Sequence, residues 1–593
     1  MPARIREGSV ALVSSGVGGG LVRIRFSGML LLLAMAPCGA LADPPQVDVV
    51  NALVKVRPAD APPAARAAEI SAARNEFEAF QIIVHGGDSG VTGVTATASS
   101  LVGPGDAGIP AAEIMLYREG LYNAVYASNS EGATGLWPDA LIPAVDAYAK
   151  EPRNAFPFDV PVNESRGIWV EVFVPLGTPA GIYQGSVTVK GTGLPASNVP
   201  VRLQVRDFEL PSTATLKSTF GIGWDGGCLT HLGSYDACGD EGVASYVAMY
   251  SRAALDHRIS MGGATYGGKR NDNWAYFDRL FGPQIGGTAN TRLKGARLTT
   301  VGFNEIDISR LQGWRDHFAR KGWSDRLYQY TCDEPPGGCS FDSILDRAAP
   351  VHAAGVKTLV TTDIDQLNAH SLANSVDILV PIINTMEPYG GKPRRPDYDA
   401  FLAVSPAKEL WMYQSCMSHG CAPTTHPAFV GWPSYVIDAS GVQNRAMEWF
   451  SFEFDVTGEL YYMTNMHLAT AWENQWDFHG NGDGTLFYPG TPKRIGGKSH
   501  IPVESIRLKL IREGMEDYEY LHLLCDLGDC ASAKATARTL FPAAFQVTRV
   551  TPEALYAARA KLADRIEQLW REKPPPAPGT APGSREAPAG RRR

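Results

Sequence analysis

The hydrophobic pattern of this chain changes its period near residue 211, and that change divides the fold in two. Between residues 43 and 211, apolar residues alternate with polar ones between Gly/Pro turns. In VRLQVRDF, for example, Val201, Leu203 and Val205 share one face. Alternation with period two is typical of half-buried strands, and several short strands bounded by turn signals predict a β-sandwich over residues 43–211.

Beyond this point, helical stretches separate short apolar strands. In EGVASYVAMYSRAAL, Val243, Val247, Tyr250 and Ala254 share one helical face. Strand candidates lie at 218–223, 259–265, 298–303, 327–332, 357–362, 376–383, 409–414 and 458–464. Eight strands with crossovers predict a TIM-type (β/α)8 barrel over residues 212–500. A doubly wound sheet is the alternative, although no Gly-rich fingerprint follows the first strand.

The C-terminal part combines helices with a low-complexity tail. Two amphipathic segments, at 503–530 and 551–573, predict helices that pack on the barrel within a segment spanning residues 501–572. We expect the acids of IRLKLIREGMEDYEYL to lie on a solvated helix face. Residues 573–593 are rich in Pro, Gly and Ala and lack apolar periodicity, which predicts a disordered tail.

The N-terminus has the pattern of an export signal over residues 1–42. Four arginines precede the apolar run 29–36, and Ala-Leu-Ala at 40–42 fits an A-x-A cleavage site. A membrane anchor is the alternative, but the run is far shorter than the ~20 residues that a span needs. We therefore expect a secreted or periplasmic protein without a membrane span.

The net charge of −8, with no basic block in the folded part, argues against nucleic acid as a partner. The oligomeric state is left open.

Eight cysteines follow the predicted signal, and they form four close pairs. The pairs are Cys228/Cys238, Cys332/Cys339, Cys416/Cys421 and Cys525/Cys530. This clustering predicts four local disulfides, as expected in an oxidising compartment. Zinc is the competing interpretation, but no pair is C-x-x-C and none has a matching His-x-x-x-His. We predict no metal and no cofactor.

Two adjacent carboxylates end the fourth strand candidate, in YQYTCDEPPGGCS (328–340). In a barrel, active sites lie at the C-terminal ends of the strands. We expect Pro335 to hold Glu334 extended, and a Cys332–Cys339 bridge to clamp the turn, so that Asp333 and Glu334 lean over the barrel mouth. Paired carboxylates at a barrel rim are typical of glycoside cleavage. A polar turn that opens the next helix is the alternative.

A long loop after the eighth strand candidate, YYMTNMHLATAWENQWDFHGNGDGTLFYPG (461–490), is rich in aromatics, amides and acids. Sugar sites use such residues, because rings cover apolar sugar faces and polar groups bind hydroxyls. The predicted substrate-binding residues are Tyr413, Asn465, His467, Trp472, Trp476, Asp477 and Tyr488. The alternative is a loop whose tryptophans only pack over the barrel end. GNGDG lacks the ligand spacing of an EF-hand and predicts a tight turn.

Five motifs are informative when taken together: ARNEFEAFQIIV, FDVPVNESRGIWVEVFVPLGTPAGIYQGSVTV, CDEP, GDGTLFYPG and SIRLKLIREGMEDYEYL. With them the chain resembles glycoside hydrolase family 123 and its broader relatives, over about residues 45–530. It implies a retaining exo-β-N-acetylgalactosaminidase, a hexosaminidase built from a β-sandwich and a (β/α)8 barrel. Asp333 would orient the substrate's 2-acetamido group, whose oxygen attacks the anomeric carbon, and Glu334 would be the general acid and base. The cysteines around the site depart from the family pattern.

Two other functions are compatible with the sequence. One is a non-catalytic glycan-binding protein that keeps the barrel as a platform. The other is a glycosidase with an ordinary carboxylate nucleophile acting on a sugar without an acetamido group. The intact Asp-Glu pair favours an enzyme. In each case the expected partner is a carbohydrate.

Overall fold

The computed structural model describes residues 43–61, 65–223, 226–262 and 274–572. The predicted signal segment and the predicted C-terminal tail lie outside the described residues. Within these ranges, no helix is both long and apolar enough to cross a membrane.

The N-terminal part is rich in strands, because its alternating residues pair into sheets. The strands are β1 (Gln46–Asn51), β2 (Ala68–Arg74), β3 (Glu76–His85), β4 (Val91–Ala98), β5 (Leu101–Val102), β6 (Gly108–Ile109), β7 (Ile114–Ala124), β8 (Gly135–Pro143), β9 (Phe158–Val160), β10 (Ser165–Val174), β11 (Gly181–Thr192) and β12 (Leu194–Glu209). The predicted face of β12 is confirmed, since Val201, Leu203 and Val205 are buried while Arg202 is exposed.

These strands form two sheets that share one apolar core. One sheet contains β1, β3, β10, β7 and β8 in that order, and the other contains β2, β12, β11, β4 and β9. Side chains from both sheets meet in the core, such as Phe80 and Val170 from the first and Val187 and Leu203 from the second. The expected β-rich N-terminal part is therefore present.

The next part alternates strands with helices. Its elements are β13 (Lys217–Phe220), α1 (Gly226–Leu232), α2 (Gly239–Leu255), α3 (Trp274–Leu280), α4 (Gly282–Gly286), β14 (Val301–Phe303), α5 (Ile308–Lys321), β15 (Leu327–Cys332), α6 (Phe341–Ala353), β16 (Lys357–Val360), α7 (Ile364–Ala369), β17 (Ile378–Leu379), α8 (Ile383–Met386), α9 (Asp399–Leu402), β18 (Glu409–Tyr413), α10 (Gly441–Asn444), α11 (Met447–Glu453) and β19 (Gly458–Tyr461). The predicted face of α2 is confirmed, because Val243, Val247, Tyr250 and Ala254 are all buried.

Seven of these strands form one parallel sheet that curves into a nearly closed barrel. Its order is β13, β19, β18, β17, β16, β15 and β14, and every neighbouring pair is parallel. The strand candidate at 259–265 appears only as a parallel bridge between Met261 and Phe220, and its last three residues lie outside the described ranges. Tyr328, Leu359, Trp411 and Leu460 fill the interior.

The C-terminal part returns to the N-terminal sheet before it becomes helical. Its elements are β20 (Trp476–Asp477), β21 (Gly480–Asn481), β22 (Phe487–Gly490), α12 (Pro492–Ile495), β23 (Ile501–Ser505), α13 (Ile506–Asp526), α14 (Cys530–Leu540) and α15 (Pro552–Glu572). Strand β23 pairs with β8 and with β22, so these two late strands extend the first N-terminal sheet. The domain boundaries given above stay a prediction.

The expectation of a solvated acidic face on α13 is wrong. Glu513, Glu516, Asp517 and Glu519 are all 3% exposed or less. The acids are buried because basic and hydroxyl partners from other elements meet them there. Arg445 pairs with both Glu513 and Asp517, Arg258 pairs with Glu516, and Thr215 donates two hydrogen bonds to Glu519.

The basic residues of α13 reach the N-terminal sheet. Arg507 binds Asp139 of β8 through two nitrogens at 2.8 and 2.9 Å, and Arg512 binds Glu171 of β10 at 2.6 Å. Helix α13 is therefore a buried ionic connection between the barrel and the N-terminal sheet.

The four predicted disulfides are also present, between Cys228 and Cys238, Cys332 and Cys339, Cys416 and Cys421, and Cys525 and Cys530.

Candidate active site

Strand β15 ends in a tight turn that carries the two carboxylates. The β15–β16 register shifts between Tyr330 and Cys332, so the strand is irregular just before it ends. The carbonyl of Asp333 accepts a hydrogen bond from the Gly338 N–H at 3.1 Å. The carbonyl of Glu334 accepts one from the Gly337 N–H at 2.8 Å. The Cys332–Cys339 disulfide closes the same turn.

Glu334 does not have the extended backbone that we expected from the following proline. Its φ is +40°, in the left-handed region, because the chain turns at this residue to form the hydrogen bonds of the turn. A non-glycine residue in this region is disfavoured by ~1–2 kcal/mol. The irregular strand end lets the two neighbouring side chains reach different partners, instead of pointing to opposite faces as in a regular strand.

Asp333 is exposed, and two hydroxyl groups bind one of its oxygens. The Tyr330 hydroxyl donates to Asp333 Oδ1 at 2.7 Å, and the Thr361 hydroxyl donates to the same oxygen at 3.1 Å. Burial, followed by the charge of Asp333, raises the pKa of Tyr330 well above its ordinary value. The tyrosine therefore stays protonated and remains a donor to the carboxylate.

Glu334 is also exposed, and its partner lies across the barrel on β18. The Tyr413 hydroxyl donates to Glu334 Oε1 at 2.5 Å. Burial, and then the charge of Glu334, raises the pKa of Tyr413 well above its ordinary value. Tyr413, which the sequence analysis assigned to substrate binding, thus lies next to the second carboxylate.

Thr361, the first residue after β16, connects the two acids. Its Oγ1 accepts the backbone N–H of Glu334 at 2.7 Å and donates to Asp333 Oδ1 at 3.1 Å. Thr361 is 2% exposed, so its hydroxyl is held in place by its surroundings. One buried hydroxyl therefore fixes the backbone of one carboxylate residue and the side chain of the other.

A cavity of about 210 Å³ lies beside this pair at the same end of the barrel. Residues at or just beyond the ends of β13, β14, β15 and β19 line it, among them Phe303, Glu305, Tyr330 and Tyr462. Tyr330 connects the cavity to the acid pair, because its side chain lines the cavity and its hydroxyl binds Asp333. Ligand pockets for drug-sized molecules start near ~300 Å³, so this cavity suits one small ring.

The loop after β19 places part of the predicted binding set next to Tyr462, which lines the cavity. The Tyr462 hydroxyl lies 3.4 Å from Asp477 Oδ2, and His467 Nε2 lies 3.7 Å from the same oxygen. Asn465 has another role: its side-chain amide binds both the N–H and the carbonyl of Gly223, at 2.7 and 3.0 Å. His467 and Asp477 are thus connected to the cavity through Tyr462, and Asn465 joins two loops of the barrel mouth.

Two predicted binding residues pack against the N-terminal sheet instead. Tyr488 is 1% exposed, and its hydroxyl donates to Asp139 at 2.7 Å. Trp472 donates to the Pro489 carbonyl at 3.0 Å, and its ring lies 4.8 Å from that of Tyr488. Strands β22 and β23 carry this segment away from the mouth, so we do not include these two residues in the proposed site. Trp476 is half-buried at the surface of the loop.

Sequence reasoning missed three residues of this arrangement, Tyr330, Thr361 and Tyr462. Tyr330 follows Tyr328 by two positions in β15, and that spacing places both on the barrel interior. Thr361 was inside a strand candidate, where a threonine is unremarkable. A search for hydroxyl residues at the ends of parallel strands would have found both Tyr330 and Thr361.

The GNGDG motif packs against the end of strand β19, because the Tyr461 hydroxyl donates to Asp483 Oδ1 at 2.8 Å.

Family models match both parts of the chain. Residues 54–191 match the Glycoside hydrolase 123 N-terminal domain, and residues 242–524 match the Glycoside hydrolase 123, catalytic domain. No curated protein sequence gives a significant match.

Among solved structures, the chain is similar to a family 123 glycoside hydrolase from Clostridium perfringens. That match has a TM-score of 0.66 and 12% identity, and it covers 89% of this chain and 99% of that one. A Bacteroides ovatus xyloglucanase of family 5 has a TM-score of 0.25 and 10% identity, covering 79% of this chain and 100% of that one. A family 39 glycoside hydrolase from Bacteroides cellulosilyticus has a TM-score of 0.29 and 9% identity, covering 76% and 81%.

Proposed function

We propose, from the premise that the chain belongs to glycoside hydrolase family 123, that it is a retaining exo-β-N-acetylhexosaminidase of the N-acetylgalactosaminidase type. The catalytic pair in this proposal is Asp333 and Glu334. The nucleophile is the substrate's own 2-acetamido group. A carbohydrate carrying that group at its non-reducing end is the proposed substrate.

One observation carries the proposal: the two carboxylates stand together at the barrel mouth but are held by different partners. Asp333 accepts hydrogen bonds from Tyr330 and Thr361, and Glu334 accepts one from Tyr413. Separate side-chain partners orient the two neighbouring carboxyl groups independently, which suits a mechanism that gives them different roles. The small cavity beside Tyr330 supports an exo mode of action, since it suits a single terminal sugar.

In the first step, the bond between the anomeric carbon and the leaving oxygen breaks. With Tyr413 bound at Oε1, Glu334 gives the proton on its other oxygen to the leaving group, which departs as an alcohol. The acetamide oxygen forms a bond to the anomeric carbon and closes an oxazoline ring. Asp333, as a carboxylate, accepts a hydrogen bond from the acetamide N–H, which keeps its proton, and stabilises the positive charge of the resulting oxazolinium ring.

In the second step, water opens the oxazolinium ring, and the bond between the anomeric carbon and the acetamide oxygen breaks. Glu334, now a carboxylate, takes a proton from the water while the water oxygen bonds to the anomeric carbon. The acetamide is restored, and the product keeps the configuration of the substrate after two inversions. Glu334 is protonated again and ready for the next cycle.

The proposal includes a complete (β/α)8 barrel after a sandwich that ends near residue 211. The parallel bridge of Met261 to β13 supports an eighth strand at the open edge of the sheet. We also propose export to an oxidising compartment, which the four disulfides support because such bonds persist mainly outside the cytosol.

The test is a pair of aryl β-glycosides that differ only at carbon 2 of the sugar. The enzyme should hydrolyse the aryl N-acetyl-β-galactosaminide and should not hydrolyse the aryl β-galactoside with a hydroxyl in place of the acetamide. Equal hydrolysis of both would favour an ordinary carboxylate nucleophile. Binding of the sugar without hydrolysis of either would favour a non-catalytic glycan-binding protein.

Thr361 provides a test of how the pair is positioned. Thr361→Val keeps the shape but removes the hydroxyl that holds both acids, and a hydrogen bond to a charged group contributes ~1.5–3 kcal/mol. Since Tyr330 still holds Asp333, we expect kcat to fall roughly 10-fold with little change in KM. Thr361→Ser keeps the hydroxyl and should retain most of kcat. Equal kcat values for the valine and serine variants would show that the hydroxyl does not position the acids.

A further inference from the structure

We propose that Tyr126, Trp476 and Phe478 form a second carbohydrate-binding surface, outside the cavity, that holds the sugar unit on the leaving-group side of the scissile bond. We call these three side chains the aromatic platform. This inference rests on the proposed function. It adds a binding site to which the N-terminal β-rich part contributes, since Tyr126 follows strand β7.

Two of the three rings of the platform are exposed although they are large. Tyr126 is 63% exposed and Phe478 is 52% exposed, while Trp476 is half-buried between its neighbours. The Tyr126 and Trp476 ring centroids lie 5.5 Å apart, so these rings form one continuous surface. Single exposed apolar residues are common, but an exposed ring that contacts a half-buried ring from a separate segment, with a second exposed ring two residues further along, is typical of a site of interaction.

The backbone that presents Phe478 is in an unfavourable conformation. Phe478 has φ +40° and His479 has φ +62°, two consecutive non-glycine residues in the left-handed region. Other groups hold this conformation: the Phe478 N–H donates to Asp477 Oδ1 at 3.1 Å, and the Phe478 carbonyl lies 3.2 Å from His419 Nε2. Strained backbone tends to occur at ligand-binding positions, and here the strained residue bears an exposed ring.

Hydrogen bonds connect the two segments that carry the platform, namely the segment of Tyr126 and the loop of Trp476 and Phe478. The Asn481 side chain donates to the Tyr126 carbonyl at 2.8 Å, and the Asn481 N–H donates to Ser128 Oγ at 2.9 Å. Ser128 in turn donates to Asp438 Oδ1 at 2.5 Å. A rigid surface loses little entropy when a ligand binds, so the platform is preorganised for binding.

The platform begins at the rim of the cavity. The Phe478 ring lies 5.8 Å from the ring of Tyr462, and Tyr462 lines the cavity. Because the cavity suits one terminal sugar, the next unit of a glycan must lie outside it. Asp477 and His479 stand beside the rings and can bind hydroxyl groups. Aromatic rings with polar neighbours suit the apolar face and hydroxyl edge of a pyranose, which is the ligand that the proposed function supplies at this position.

The experiment compares the hydrolysis of two substrates. One is a trisaccharide that ends in β-linked N-acetylgalactosamine, and the other is N-acetyl-β-galactosaminyl fluoride, which has the same terminal sugar but fluoride instead of a sugar as its leaving group. The variants are Tyr126→Ser and Phe478→Asn; asparagine tolerates the left-handed backbone better than other non-glycine residues. For each variant, the ratio of kcat/KM for the trisaccharide to kcat/KM for the fluoride should fall about 3- to 10-fold, the effect expected for one ring contact. The ring-preserving variant Tyr126→Phe should keep the wild-type ratio.

If the ratio of the two kcat/KM values is unchanged in both ring-removing variants, the platform does not bind the leaving-group sugar, even if the enzyme is active. If the wild-type protein cleaves neither substrate, the proposed function fails, and calorimetric titration with the trisaccharide decides the platform separately. Binding that is weakened about 3- to 10-fold by the same variants would support the platform. Absence of binding to the wild-type protein would overturn it.

Discussion

Replacing Glu334 with Gln should slow hydrolysis of a sugar or alkyl leaving group by about 10²- to 10⁴-fold, the usual contribution of general acid catalysis. The amide keeps the shape of the side chain and can still accept the Tyr413 hydrogen bond, which measures 2.5 Å in the wild type. It has no acidic proton to give to the leaving oxygen. Activated aryl leaving groups need little protonation, so their first step should be affected much less. Measuring kcat/KM across leaving groups of graded acidity gives the result.

A suitable control is Glu553→Gln, the same change at an exposed position in the first turn of α15. It should leave the dependence on the leaving group unchanged. If Glu334→Gln slows good and poor leaving groups by the same factor, Glu334 does not act as the general acid.

Replacing Asp333 with Asn should lower the rate by about 10²- to 10³-fold, the loss expected when one stabilising group is removed from a developing charge. The Asn side chain can still accept hydrogen bonds from Tyr330 and Thr361, but it no longer offsets the positive charge of the oxazolinium ring. This charge develops whether the leaving group is good or poor, so both substrate classes should slow alike. The measurement is kcat/KM for the same graded series.

Added azide distinguishes stabilisation of charge by Asp333 from a role of Asp333 as the nucleophile. Azide should not restore activity to Asp333→Asn, because Asp333 forms no bond to the sugar in the proposed mechanism. Recovery of the rate with formation of a glycosyl azide would instead identify Asp333 as a nucleophile. Asp346→Asn removes an exposed negative charge from α6 and should behave as the wild type.

Local patterns in the sequence predicted much of the fold, because burial alternates with the period of each element. The buried faces of β12 and α2 follow directly from the spacing of their apolar residues. The same reasoning could not place β22 and β23. Strand β22 pairs with β23, and β23 pairs with β8, whose residues are more than 300 positions earlier in the chain. No local signal encodes such a distant partner.

Charge patterns were less informative, because a charged side chain can be solvated or paired inside the protein. The acids of α13 have the spacing of a solvated helix face, yet Arg445 and Arg258 bury them as ion pairs. Such partners are distant in sequence and are seen only once the fold is known. The sequence pattern therefore predicted that α13 is a helix but not the environment of its charges.

The candidate site was predictable where it depends on the ends of strands and not where it depends on long loops. Asp333 and Glu334 were placed at the barrel mouth because they follow a strand, and they lie there. Tyr488 looked similar to a sugar-binding aromatic, but β22 buries it against Asp139. Aromatic content alone does not distinguish a binding surface from a packed loop, since both use the same residues.

The most direct test of the mechanism is inhibition by a thiazoline derivative of N-acetylgalactosamine, a stable mimic of the oxazoline that the acetamide forms. Its inhibition constant is measured against hydrolysis of the aryl N-acetyl-β-galactosaminide. We expect competitive inhibition at concentrations well below KM for the substrate, because mimics of reaction intermediates bind more tightly than substrates. An enzyme that hydrolyses the glycoside but is not inhibited by the thiazoline would contradict substrate-assisted catalysis.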